Sequence, residues 1–296
     1  MPADAQALSL LGATPADCAR LAAQVNENPA SLAPIHAWKR QAGGKYTGDA
    51  LERVLLRAAA AENFPRIAGL PVPEQVKALL TQEFEFYARP TGMTPAMTHA
   101  ATHGTNPLEA GGYPFVTACK VISLRRFPAG PLDWEIAGFP RSWLLQVRTA
   151  DLARVAWFLA ARVGGFEPMF FTHVARRPKN RSLIIEKEVL RSYCRIAGAL
   201  ELQPGIKGIL TASWFHDRAA VKNNPSLAAL SRPYLEGGGL LAAMGRAPAD
   251  AGFLEHNAGR KKAFDTGELQ YRTGLAVWPR KAAIEWARGH RDLLER

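Results

Sequence analysis

The sequence predicts an α/β protein, with a mixed central sheet flanked by helices and a helical N-terminal segment. Three observations predict it. Helical periodicity dominates up to about residue 90, the apolar period changes to two beyond residue 112, and from Thr149 helical and strand patterns alternate. A chain of 296 residues with 48% hydrophobic content buries a full core without disulfides or a structural metal. The expected division is a helical segment, 1–90, followed by a mixed α/β domain, 91–296.

The helical segment is read from caps and spacing. Thr14-Pro15-Ala16-Asp17 places a capping oxygen, a proline at the first helical position and an acid near the positive end of the dipole. Gly48 to Glu62 repeats Leu51, Val54, Leu55 and Ala58 at helical spacing, and Pro73 to Arg89 does so with Val76, Leu79, Leu80 and Phe84. The stretch from Thr91 to Gly112 has no apolar period and is too long for an ordinary connection. Next, Phe115 to Arg125, Trp134 to Ala137 and Trp143 to Val147 are rich in strand formers. Pro128 to Pro131 and Gly138 to Pro140 supply turns, so the three are expected as an antiparallel meander.

The alternating half follows. Helices are predicted over Thr149 to Arg162, Glu186 to Leu202, Gly259 to Asp265 and Pro279 to His290, with an interrupted one over Asn223 to Leu235. Strands are predicted over Met169 to Val174, Gly208 to Phe215, Leu240 to Met244 and Thr273 to Trp278. Helical crossovers between strands imply parallel pairing here.

Charge and composition narrow the function. The net charge of +11 is uneven: residues 1–150 hold 14 basic against 12 acidic side chains, and residues 151–296 hold 23 against 14. The basic half suits an anionic small molecule, an acidic carrier protein or a peripheral membrane contact. Cys18, Cys119 and Cys194 are far apart and odd in number, and neither a secretory signal nor a membrane-spanning run is visible, so a cytoplasmic location is expected. There is no G-x-x-x-x-G-K-[ST], and Gly237-Gly238-Gly239 follows a helix and enters a strand, the reverse of a dinucleotide site. Nucleotide-dependent kinase or dehydrogenase chemistry is not expected on that ground. Specific nucleic-acid readout has no motif either.

Polar residues gather at two predicted strand ends, where open α/β sheets bind ligands. Ser213, His216 and Asp217 follow one strand; they have the composition of a hydrolytic triad, but equally Asp217 caps the next helix and His216 satisfies a backbone carbonyl. His173 ends another strand, just before the basic run Arg176, Arg177, Lys179 and Arg181. If the two strands end together, His173 and His216 face one cleft, with a histidine base beside a phosphate-bearing ligand. Glu186 and Glu188 open a helix and complement its dipole. His99 and His103, four apart, have a metal-ligand spacing with Glu83, Glu85 and Glu109 near in sequence, but their surroundings read as irregular loop and no metal is assigned.

The order of elements, a meander followed by helix, strand, helix and strand over residues 115–246, resembles the GNAT-type N-acyltransferase superfamily. Tyr234, Gly237 and Leu240 resemble that family's late helix, in which a tyrosine precedes a glycine and the next strand. The resemblance implies a transferase that moves an acyl group from a thioester to an amine. It gives Tyr234 the role of proton donor to the departing thiolate and lays the thioester across a splayed sheet, with its phosphates met by basic residues. Val147 to Ala156, where the family's phosphate-binding signature falls, lacks glycine, which turns the expected donor from ordinary acetyl-CoA toward an acyl carrier protein or a lipid-like donor, so the expected thioester is acyl-CoA or acyl carrier protein. A metal-dependent or histidine-based hydrolase, and a non-catalytic basic binding module, are the alternatives.

Overall fold

The computed structural model describes residues 2–26, 28–43, 48–88, 113–175, 185–246, 258–268 and 270–295. The chain divides into two units, the first spanning Met1–Pro128 with Ala175–Leu183 and the second Ala129–Val174 with Ile184–Arg296.

In unit 1 the helices are α1 (Pro2–Leu11), α2 (Pro15–Gln24), α3 (Ala33–Gln41), α4 (Gly48–Asn63), α5 (Glu74–Ala88) and α6 (Tyr113–Ile122), followed by a short strand β1 (Arg126–Pro128). Thr14 caps α2 as expected: its side chain accepts from the Asp17 amide while the Asp17 carboxylate accepts from the Thr14 amide. Helix α6 corrects the strand expected over Phe115 to Arg125. Its β-branched and aromatic content favours a strand, yet Phe115, Ala118, Cys119 and Ile122 recur at helical spacing and all four are fully buried. Burial of that face outweighed local propensity. Asn63 Nδ2, donating to the Ile122 carbonyl at 3.0 Å, satisfies one of the orphan acceptors at the end of α6.

Unit 2 carries strands β2 (Leu132–Ala137), β3 (Met169–Val174), β4 (Gly208–Ser213), β5 (Leu240–Arg246) and β6 (Arg272–Pro279) in the spatial order β2-β3-β4-β6-β5. Its helices are α7 (Thr149–Phe158), α8 (Glu186–Leu202), α9 (Arg218–Asn223), α10 (Ala228–Glu236), α11 (Ala258–Asp265) and α12 (Arg280–Arg288). The expected strand at Trp143 to Val147 is instead a 3-10 helix, Arg141–Leu145, in which Trp143 and Leu144 pack on the core and Leu145 points out. The meander is therefore reduced to β2. The mixed sheet flanked by helices is as the sequence predicts. Its pairing differs: only β3 and β4 run parallel, whereas β2/β3, β4/β6 and β5/β6 are antiparallel, because helical connections also join neighbouring antiparallel strands.

The register assigns side chains to two faces. Met169, Phe171, Leu210, Ala212, Leu275, Val277, Leu240 and Ala242 share one face with Val155, Phe158 and Leu159 of α7 and its extension. On the opposite face lie Phe170, Thr172, Thr211 and Trp278; there Trp278 packs against Tyr193 of α8, Tyr234 of α10 and Trp286 of α12. The glycine triplet serves this packing. A Cβ on Gly237 would lie 2.4 Å from the Trp278 ring, and Gly238 adopts φ +72°. Among the described residues, no helix is long and apolar enough to cross a membrane.

Candidate functional site

The ladder between β3 and β4 is the shortest of the four that join the strands of unit 2. On its outer side β3 is paired with β2 along its whole length, from Met169↔Ala137 to Val174↔Leu132, and β4 is paired with β6 from Gly208↔Pro279 to Ser213↔Gly274. On the sides that face each other only Phe170↔Ile209 and Phe171↔Leu210 are in register. Beyond them Thr172–Val174 and Thr211–Ser213 have no register partners across this pair. Where the backbone ladder stops, Thr211 Oγ1 donates to the Thr172 carbonyl at 3.0 Å and stands in for a ladder bond. Sequence reasoning passed over both threonines, since their strand propensity already accounted for them.

On the Phe171 face of β3 stands His173. Its Nε2 lies 3.0 Å from Glu135 Oε1, both side chains are mostly buried, and its ring meets Phe171 edge-on at 4.5 Å. Glu135 is opposite Phe171 in the ladder, so it reaches His173 on the diagonal. No sequence signal marks a diagonal partner before the register is known, and Glu135 was missed. The pair holds the imidazole in one orientation.

On the other face lies Tyr234, fully buried on α10 and packed against Tyr193, His216 and Trp278 at centroid distances of 5.5, 5.9 and 5.1 Å. Burial pushes its phenol up to about 12; the nearby Thr172 and Tyr193 hydroxyls oppose part of that rise. Neither meets the Tyr234 oxygen with hydrogen-bond geometry, and the hydroxyl has no partner among the described residues. Tyr193, by contrast, donates to the Leu230 carbonyl at 2.8 Å. The Tyr234 phenol therefore stays protonated at neutral pH and lies near Thr172, just past the last β3/β4 register pair.

The remaining candidates are placed as follows. His216 Nδ1 is 2.8 Å from Ser231 Oγ, and burial lowers the imidazole pKa to about 4, so the ring is neutral. Ser213 accepts from the Phe215 amide at 3.4 Å and caps a short 3-10 turn. Asp217 Oδ1 accepts from the Ala219 and Ala220 amides and caps α9, as one reading of the sequence held, while Oδ2 accepts from the Arg272 amide. Ser213, His216 and Asp217 thus have separate partners and form no hydrogen-bonded series. His173 and His216 do not share a face. His173 stands with Phe171, while His216 packs under α10 behind the opposite side of the sheet. Strand ends that are parallel in sequence order need not direct their histidines to the same side.

Arg176, Arg177, Lys179, Arg181, His99, His103 and Glu109 lie outside the described residues. Among the described residues no group of three His, Cys, Asp or Glu side chains is placed to hold a metal ion. All three cysteines are free and buried, and burial raises every thiol, Cys18 to about 12 and Cys194 to about 11.

No protein-family model and no curated protein matches the chain. It is similar to solved acyltransferase structures at low identity. One, in complex with decanoyl-CoA, has a TM-score of 0.48 and 14% identity over 76% of this chain and 64% of that one. Another, with decanoyl-CoA and teicoplanin, has 0.46 and 13% over 77% and 66%. A mutant acyltransferase with octanoyl-CoA has 0.45 and 14% over 80% and 68%. The chain therefore spans about two thirds of the length of these acyltransferases.

Proposed function

We propose that the chain transfers an acyl group from a pantetheine-type thioester, acyl-CoA or an acyl carrier protein, to an amine. The observation that carries this reading is the short β3/β4 ladder: β3 and β4 are fully paired on their outer sides and paired on their facing sides only at Phe170–Phe171 and Ile209–Leu210. In this reading the stretch beyond it, Thr172–Val174 beside Thr211–Ser213, forms a wedge whose peptide groups pair with an extended arm carrying amides. Pantetheine is such an arm. The basic run Arg176, Arg177, Lys179 and Arg181 follows β3 directly in sequence and suits the phosphates of that donor.

The acid and base then have opposite sides. The amine approaches from the His173 face, where His173, oriented by Glu135, takes its proton. Nitrogen attacks the thioester carbonyl, whose developing charge is met by backbone donors of the parted strands. The carbon–sulfur bond breaks as the tetrahedral centre collapses, and Tyr234 gives its proton to the thiolate. Placing base and acid on different faces lets the amine enter and the thiol leave without crossing paths. Ser213 and His216 support the strand end and the Tyr234 pocket in this scheme.

The test is thiol release from acyl-CoAs of graded length and from acylated carrier protein, with and without a panel of amines. Amine-dependent release, slowed in Tyr234→Phe and His173→Ala, is the expected result. Absence of release with every donor, together with no thermal stabilisation by any of them, overturns the assignment.

A further inference from the structure

The surface of α7 and the turn before it is not used by the proposed chemistry. The segment 141–163 lies along the sheet with Trp143, Leu144, Val147, Val155, Phe158, Leu159 and Val163 in the core. It is fastened to the edge strand β5, where the Arg148 amide donates to Ala243 at 3.1 Å and Arg154 Nη2 to the Leu241 carbonyl at 2.9 Å. Its outer side breaks the rule that an amphipathic helix turns charge to water. Ala150, Ala153, Ala160 and Ala161 are exposed there, and Leu145, Trp157 and Leu152 stand out at 89%, 60% and 38% exposure.

The charges on this segment are mostly positive. Arg141, Arg148, Arg154 and Arg162 punctuate it, and the one acid, Asp151, is already paired with Arg154 at 2.7 Å. Arg148 and Arg162 are exposed and have no acidic partner among the described residues. We propose that this face docks on an anionic phospholipid bilayer, with Leu145, Leu152 and Trp157 entering the headgroup boundary and the arginines meeting lipid phosphates. Exposed leucine and tryptophan side chains among alanines, on a segment that also carries Arg141, Arg148, Arg154 and Arg162, match an interface with an apolar layer beneath a negatively charged one. An acidic protein partner would answer the arginines but needs relief for anchoring side chains, which a row of alanines does not offer.

This inference is independent of acyl transfer and is tested without it. The full chain is sedimented with phosphatidylcholine vesicles and with vesicles containing phosphatidylglycerol, at low and high salt. Binding is expected only to the anionic vesicles, weakened by about fivefold for Arg148→Gln and by roughly tenfold for Leu145→Ser with Trp157→Ser. Both variants keep the parent melting temperature, since each changes only exposed side chains. Equal binding to neutral vesicles, no binding, or binding insensitive to these substitutions overturns the proposal. So does a concentration-dependent dimer abolished by the double substitution, which would assign the face to a second copy of the chain.

Discussion

Replacing Tyr234 by phenylalanine separates a structural role from a catalytic one. The ring is fully buried among Tyr193, His216 and Trp278, so the variant keeps that packing and removes only an oxygen that has no hydrogen-bond partner among the described residues. An unsatisfied buried hydroxyl costs roughly 1–3 kcal/mol. The closeness of the Thr172 and Tyr193 hydroxyls, which oppose part of the rise in the phenol's pKa, places the recovered stability at the lower end, about 1 kcal/mol. In a unit of this size that raises the melting temperature by roughly 2–4 °C. Loss of a proton donor to the leaving group lowers turnover by about a hundredfold or more. With the phenol raised to about 12, the parent rate should show no loss of this donor at neutral or mildly alkaline pH. The assays are calorimetry and amine-dependent thiol release on the same preparations. A variant that is less stable than the parent, or equally stable and equally active, refutes the argument that the hydroxyl is held unpaired for use.

Three further outcomes follow from the same unit and its neighbour. Burial depresses His216 from 6.5 to about 4, so the unfolded chain takes up a proton that the folded chain refuses; stability is intact above about pH 6.5 and falls toward pH 4, by roughly 3 kcal/mol in all. Denaturant melts of the parent should show that loss, and His216→Gln, which cannot titrate, should flatten it. Gly274→Ala should cost about 1–3 kcal/mol, because its Cβ would lie 2.6 Å from the His216 backbone; an unchanged melting temperature would mean that β6 has room there. The three cysteines, buried and with raised thiols, should react with a thiol reagent only after denaturation, which also keeps thiol-release assays free of background from the protein.

Helix α8 and strand β3 were legible in the sequence to the residue, since each is bounded by local signals: acidic residues before an apolar stripe, a Pro-Gly stop, a short run of strand formers. Helix α6 was not. Val116, Thr117, Val121 and Ile122 favour a strand on propensity, and only the burial of its 115–118–119–122 face decides for helix. The candidate site divides in the same way. His173 and Tyr234 were visible because a strand end and a Tyr-x-x-Gly pattern are local. Glu135, Thr172 and Thr211 act through cross-strand neighbours, 38 and 39 residues apart in sequence for the bonds they make, and no local pattern encodes register.

The short β3/β4 ladder has an energetic consequence that discriminates among donors. Fully laddering β3 to β4 would add bonds and stiffen the sheet, yet the strands stop pairing after Phe171 and Leu210, with a threonine hydroxyl bridging the first unpaired step. The free energy forgone there is available to whatever molecule next occupies the gap. Each peptide group satisfied by a ligand amide contributes about 1 kcal/mol, close to a fivefold change in affinity. A thioester on the full pantetheine arm, with two amides, should therefore bind about fivefold more tightly than the same acyl group on N-acetylcysteamine, which carries one, even before any phosphate contact. Phosphopantetheine minus its phosphate isolates that difference from charge. If the two thioesters bind alike and only the phosphate matters, the lips of the wedge do not pair with the arm, and the donor is held by the basic residues alone.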